Sequence, residues 1–128
     1  MKQEDKTLLI KDLCARIPYG VKFNFNGNIR TLTGIDKCVD DNWNWTDCVC
    51  AIGISPIEIE FCKPYLFPIS SMTEEQSKIY HELIRGMFGT SALINIEEFV
   101  NWCNKNHLDW RGLIPKGLAI DATRLNIY

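Results

Sequence analysis

The apolar residues of this chain change their period partway along it, and that change dictates the fold class. Between residues 20 and 62 they alternate in twos: Val21, Phe23 and Phe25, then Trp43 and Trp45, then Ile57, Ile59 and Phe61. Such alternation belongs to half-buried strands. Beyond Met72 the spacing becomes helical. Ile79, Tyr80, Leu83, Ile84 and Met87 form one stripe, and Ile96, Phe99, Val100 and Cys103 form another. The expected class is α+β, with a small, strongly curved antiparallel sheet packed with about three helices and open to partial closure as a barrel. The 128 residues suffice for a single domain, mainly β at 20–62 and mainly helical at 73–128.

Local signals place the elements. A first helix is expected over 5–17, with Leu9, Leu13 and Ile17 inward and the Asp12–Arg16 pair on its wet face. Pro18 ends it, because the residue before a proline leaves the α region. A hairpin follows over 20–35 around Asn26-Gly27-Asn28. A two-residue turn would set Phe25 against Asn28 and Phe23 against Arg30. A three-residue loop sets Phe25 against Ile29 and Phe23 against Thr31. The second register keeps one face more apolar and is the one expected. Asp40, Asp41 and Asn42 read as a turn, and 48–54 and 57–61 as strands. Pro64 and Pro68 hold the run 63–71 outside any central strand, as a crossing to the helical half. A second helix covers 73–86, capped through either Ser71 with Glu74 or Thr73 with Gln76, and Gly86 and Gly89 mark its exit. A third covers 96–106, with Asn95 as N-cap and Ile94 stapled to Phe99. The apolar tail after Gly112 reads as an irregular wrap or a single short turn.

Charge and composition exclude several functions. A formal net charge of −2 lacks the basic field of a dedicated duplex nucleic-acid binder. No apolar run reaches the ~20 residues of a membrane-spanning helix. The N-terminus Met1-Lys2-Gln3-Glu4-Asp5-Lys6 is too polar to open a secretory signal, so a cytoplasmic location is expected. Six cysteines are many for such a chain. Without an export signal, and with each thiol in an apolar setting, they read as reduced, buried small hydrophobes. Cys48-Val49-Cys50 is too tight for the usual metal-ligand spacing.

Residues that could carry chemistry are few. Cys103 and His107 stand four apart, but a thiol in an apolar stripe is inert. Glu58 and Glu60 share a strand face and read as solvated. No phosphate loop or nucleophile elbow is present. No catalytic residue, metal or cofactor is therefore specified. What stands out is Trp43 and Trp45, set among Asn42, Asn44 and Asp47, together with the loop residues Asp109, Trp110 and Arg111. Tryptophans that stay exposed mark a binding surface. The expected function is non-catalytic binding of a protein partner or of a second copy of the chain. The alternative is a single-stranded nucleic-acid module, with the same tryptophans stacking on bases beside Lys22, Arg30 and Lys37. Exposure beside those cations would favour nucleic acid, and exposure inside an apolar, charge-poor patch would favour protein. A cysteine- or metal-dependent enzyme ranks third.

Three stretches resemble a known group. They are Asp12-Leu13-Cys14-Ala15-Arg16-Ile17-Pro18-Tyr19-Gly20-Val21, Lys63-Pro64-Tyr65-Leu66-Phe67-Pro68-Ile69-Ser70-Ser71-Met72-Thr73 and Asn106-His107-Leu108-Asp109-Trp110-Arg111-Gly112-Leu113-Ile114. They are similar to small hypothetical proteins of gut Bacteroides and related bacteria, often encoded in phage or prophage regions. The resemblance spans most of the chain. It departs at Leu108 and Trp110, where the usual members carry Phe and Tyr. It implies a cytoplasmic accessory protein of a mobile element and brings no activity, cofactor or catalytic residue with it.

Overall fold

The computed structural model describes residues 1–87 and 92–128. Helix α1 spans Gln3–Arg16 and runs into a 3₁₀ turn at Ile17–Tyr19, where Pro18 halts α-helical bonding. Its Leu9 and Leu13 are fully buried. So are Asp12 and Arg16, both at 0% exposure, which corrects the expectation of a wet-face pair. The reason lies 92 residues away. Arg16 Nε donates to Asp12 Oδ2 at 2.7 Å, Arg16 Nη2 donates to Asp12 Oδ1 at 3.1 Å, and Nη2 also donates to the Leu108 carbonyl at 2.7 Å. Arg111 Nε stands 3.4 Å from Asp12 Oδ1. A charge can be buried when it is paired and hydrogen-bonded, and the loop after the third helix supplies the missing partners.

Strands β1 (Lys22–Phe25) and β2 (Asn28–Thr31) form the expected hairpin in the other register. Phe25 pairs with Asn28 and Phe23 with Arg30. Asn26 (φ 50°) and Gly27 (φ 81°) both take positive φ, the mark of a two-residue type I′ turn, and Asn24 Oδ1 accepts from Gly27 N–H at 3.1 Å. Turn chemistry outweighed facial apolarity: Ile29 is left exposed, and Leu32 takes the buried place beside Val21 and Phe23.

The remaining strands are β3 (Gly34–Val39), β4 (Trp45–Cys50), β5 (Ile57–Glu58), β6 (Lys63–Leu66) and β7 (Ile120–Asp121). They form two open sheets, of order β2-β1-β6-β7 and β3-β4-β5, and neither closes as a barrel. The expected 48–54 strand stops at Cys50. The expected 57–61 strand becomes a 3₁₀ turn from Ile59 onward. Contrary to expectation, β6 is an interior strand despite Pro64. Leu66 C=O accepts from Ala122 N–H at 2.8 Å, so Leu66 and, two residues back, Pro64 face β7. Pairing with β7 begins only at Tyr65–Ile120, so no ladder bond is missed at the proline. The tail supplies that parallel strand and places Leu113, Leu118 and Ala119 in the core with Leu9, Phe23, Val49, Ile59 and Leu66.

Helix α2 spans Glu74–Gly86, and the box is Thr73 with Gln76, each side chain bonded to the other's backbone N–H. Helix α3 is Ala92–Lys105, so Asn95 is inside it rather than its cap. The Asn95 side chain donates instead to the Gly86 carbonyl, tying α3 to the end of α2. Gly89 and the Ile94 side chain lie outside the described residues. Ile96 points outward, whereas Cys103 and Asn104 are buried. Helix α2 rests on α3 through Tyr80, which meets Phe99 and Trp102 at ring distances of 5.4 and 6.5 Å.

Removing one partner of the buried pair should be severe. Asp12→Asn is expected to cost about 3–5 kcal/mol in urea unfolding, since it strands a buried guanidinium. The double replacement Asp12→Leu with Arg16→Met should cost less than Asp12→Asn alone. Equal or greater loss in the double variant would refute a charge-pairing origin.

Candidate functional site

Beyond its pairing with β5, the β3–β4 hairpin projects as an arm, closed by the turn 40–44. Asp40 builds that turn. Its carboxylate Oδ1 accepts from Asn42 N–H and Asn44 N–H, both at 2.9 Å, while its backbone pairs with the Asn44 carbonyl at 2.9 Å. The two tryptophans sit at this tip. Trp43 is 87% exposed and Trp45 73%. Trp45 pairs with Val39, also exposed, on the face that carries Ile35 and Val49 further down. The face that is core at the base of the arm is crossed by the Lys37–Asp47 ion pair and becomes apolar again, and exposed, at its end. Trp43 holds φ at 63°, a conformation that costs a bulky L-residue about 1–2 kcal/mol. No burial offsets that cost in the free chain.

Of the three cations only Lys37 stands beside the tryptophans, one rung below Trp45 on the same face. Lys22 and Arg30 belong to the other sheet, on β1 and β2. Lys22 Nζ donates to the Ile127 carbonyl at 2.7 Å and sits 5.7 Å from the Tyr128 ring. Lys37 is on the arm but pairs with Asp47 across the strands. Acids dominate the neighbourhood. Burial, a hydrogen bond with Glu60, and the charges of Glu60, Asp40 and Asp41 together push the Glu58 carboxyl up. The pairing of Glu58 with Glu60 is visible in the sequence, whereas the influence of Asp40 and Asp41, 18 and 17 positions before Glu58, is not.

The Asp109–Trp110–Arg111 loop is occupied with internal contacts. The Asp109 carboxylate accepts from Leu113 N–H at 2.7 Å and Ile114 N–H at 2.8 Å. Trp110 Nε1 donates to Asn104 Oδ1 at 3.0 Å, and the Arg111 guanidinium lies 4.3 Å from the Trp110 ring. These residues fasten the loop onto α1 and α3.

The nucleophile pairs fail on geometry and protonation. His107 lies past the end of α3 in a left-handed turn (φ 58°), and its ring stacks on Tyr128 at 3.6 Å. Burial pushes the Cys103 thiol up to about 11. Burial, with the nearby Arg16 and Lys22 charges, pushes the His107 imidazole down to about 4. The proton therefore stays on sulfur. On α2, His81 Nδ1 lies 2.6 Å from the Ser77 carbonyl. A carbonyl only accepts, so Nδ1 carries the proton and cannot take one from the Ser77 hydroxyl. The cysteines are not uniformly core. Cys62 and Cys103 are buried, Cys14 is exposed, and Cys38 and Cys48 are joined across β3 and β4 with Cα atoms 6.1 Å apart. Their register, Cys38 against Thr46 and Cys48 against Asp36, sets them diagonally on one face. Among the described residues, no helix is long and apolar enough to cross a membrane.

His107 gives the fold a pH dependence. The unfolded imidazole takes a proton near 6.5, the folded one only near 4. Between those values the unfolded state binds more protons, so stability falls as pH drops. Allowing for partial exposure, the loss is about 2 kcal/mol. Urea unfolding at pH 7 and pH 4.5 should show a smaller drop for His107→Asn, which tolerates the left-handed backbone. Equal drops would show that this ring does not titrate as stated.

No protein-family model, no curated protein and no solved structure matches this chain.

Proposed function

We propose that the chain is a non-catalytic protein-binding module whose β3–β4 arm is the docking element. One observation carries this reading: two tryptophans at the tip of a hairpin are 87% and 73% exposed. Buried on a partner, aromatic rings of this size are the usual anchors of an interface. The strained φ of Trp43 points the same way, since strain without reward in the fold is what functional positions carry. The core around Leu9, Phe23, Val49 and Leu66 supplies its base. The resemblance to proteins of Bacteroides phages and prophages supports an accessory role in a mobile element, acting in the cytoplasm.

The nucleic-acid alternative has less to stand on. Base stacking needs cations along the phosphate path. Here two of the three candidate cations sit on the other sheet, and the third is neutralised by Asp47.

The arm reading predicts opposite effects on stability and binding. Trp43→Asn should leave the fold unharmed or raise its stability by up to about 1 kcal/mol, because asparagine accepts the left-handed region. Trp45→Ala should change stability by less than about 0.5 kcal/mol. Affinity capture from the native host at mild salt, with protein and nucleic acid both analysed, should recover a protein with the wild type and not with the double variant. Recovery of nucleic acid instead, or of the same proteins by both baits, would sink the reading.

A further inference from the structure

We infer that the arm's partner is a cationic segment, a peptide stretch carrying Lys or Arg beside apolar residues. This rests on the arm being the docking element and adds the chemistry of what docks. Between Gly34 and Asp47 the sequence has four carboxylates, Asp36, Asp40, Asp41 and Asp47, against the single cation Lys37. The arm alone is therefore more negative than the whole chain, whose formal charge is −2. Lys37 pairs with Asp47, which leaves Asp36, Asp40 and Asp41 without a salt bridge among the described residues. By register Asp36 and Glu58 lie on the face opposite Val39 and Trp45, while Asp40 and Asp41 stand in the tip turn with Trp43.

The adjacent carboxylates Asp40 and Asp41 repel each other, and a bound cation would relieve them. The indoles add a second attraction of the same sign. A guanidinium or ammonium group over an indole face is favoured by the ring's quadrupole, most of all for tryptophan. The same chain already uses that contact, with Arg111 over Trp110 at 4.3 Å. Apolar neighbours in the segment would cover Val39 and the indole edges. A second copy docking arm to arm fits poorly, because it would bring one acidic arm against another. Nucleic acid meets the same repulsion.

The test pans displayed random twelve-residue peptides on the intact chain, with the Trp43→Ala/Trp45→Ala variant as subtraction. Enriched peptides are synthesised and titrated by tryptophan fluorescence against the wild type and against Asp41→Asn/Glu58→Gln. The expected result is enrichment of Lys or Arg next to apolar residues. Affinity should fall about tenfold between low and high salt, and about fivefold in the charge variant. Both variants alter surface residues, and their thermal midpoints confirm folding. Trp-dependent peptides with no excess of Lys or Arg, or with unchanged affinity in the charge variant, would overturn the cationic partner and leave the arm standing. Trp-dependent self-association in sedimentation of the chain alone would likewise overturn the cationic partner and leave the arm standing, whereas the absence of any Trp-dependent peptide would overturn both.

Discussion

A buried ion pair on the first helix holds the two ends of this chain together. Asp12 and Arg16 are both sequestered from water, a state that costs several kcal/mol per ion unless every strong partner is close. Arg16 Nε and Nη2 meet that demand through Asp12 and the Leu108 carbonyl, Nη1 is left without a hydrogen-bond partner among the described residues, and Arg111 adds charge from outside. The loop that supplies Leu108 must in turn be rigid. Phe67 N–H donates to the His107 carbonyl and Asp109 N–H to the Phe67 carbonyl, each at 2.8 Å, while the Asp109 carboxylate fixes the turn to Ile114. Helix α1, the end of α3 and the extension of β6 thereby become one unit.

That unit explains why the arm can be so poorly packed at its tip. The base of β3 and β4 contributes Val49 to the core and Ile35 to its margin. The distal half contributes no buried residue, and Trp43 sits in a conformation that burial does not reward. Stability and recognition are thus separated along a single hairpin. The loop that looks richest in functional residue types, Asp109 to Arg111, belongs to the stabilising part.

What the sequence makes legible follows from how local each cause is. The α+β division, the stop at Pro18 and the Thr73–Gln76 cap all rest on residues within a few positions of one another. The β1–β2 register is equally local, but two local signals compete there, and Asn26-Gly27 outweighs the placement of Ile29. The burial of Asp12 and Arg16 is not legible, because an i,i+4 charge pair reads as solvated until Leu108 is known to cover it. Asn95 has the residue type of a cap, yet the Gly86 carbonyl gives its amide a different use. Pro64 argues against an interior strand only if its missing N–H faces a ladder, and here it faces the chain before β7 begins. At the candidate site the tryptophans were visible in the sequence. Their exposure, and the approach of Glu58 to Asp40 and Asp41, depend on the fold.

The two-residue strand β7 shapes the order in which the molecule can form. It pairs in parallel with Tyr65 and Leu66, more than fifty positions earlier in the chain. Parallel pairing across so long a loop is slow, because closure entropy comes before its reward. During synthesis the β1–β2 and β3–β4 hairpins can zip as soon as they emerge, since their contacts are local. The core must then wait for Leu113, Leu118 and β7. A nascent chain therefore carries its tryptophans on a hairpin that has no completed core beneath it, and is open to premature encounters there until Leu113, Leu118 and β7 arrive.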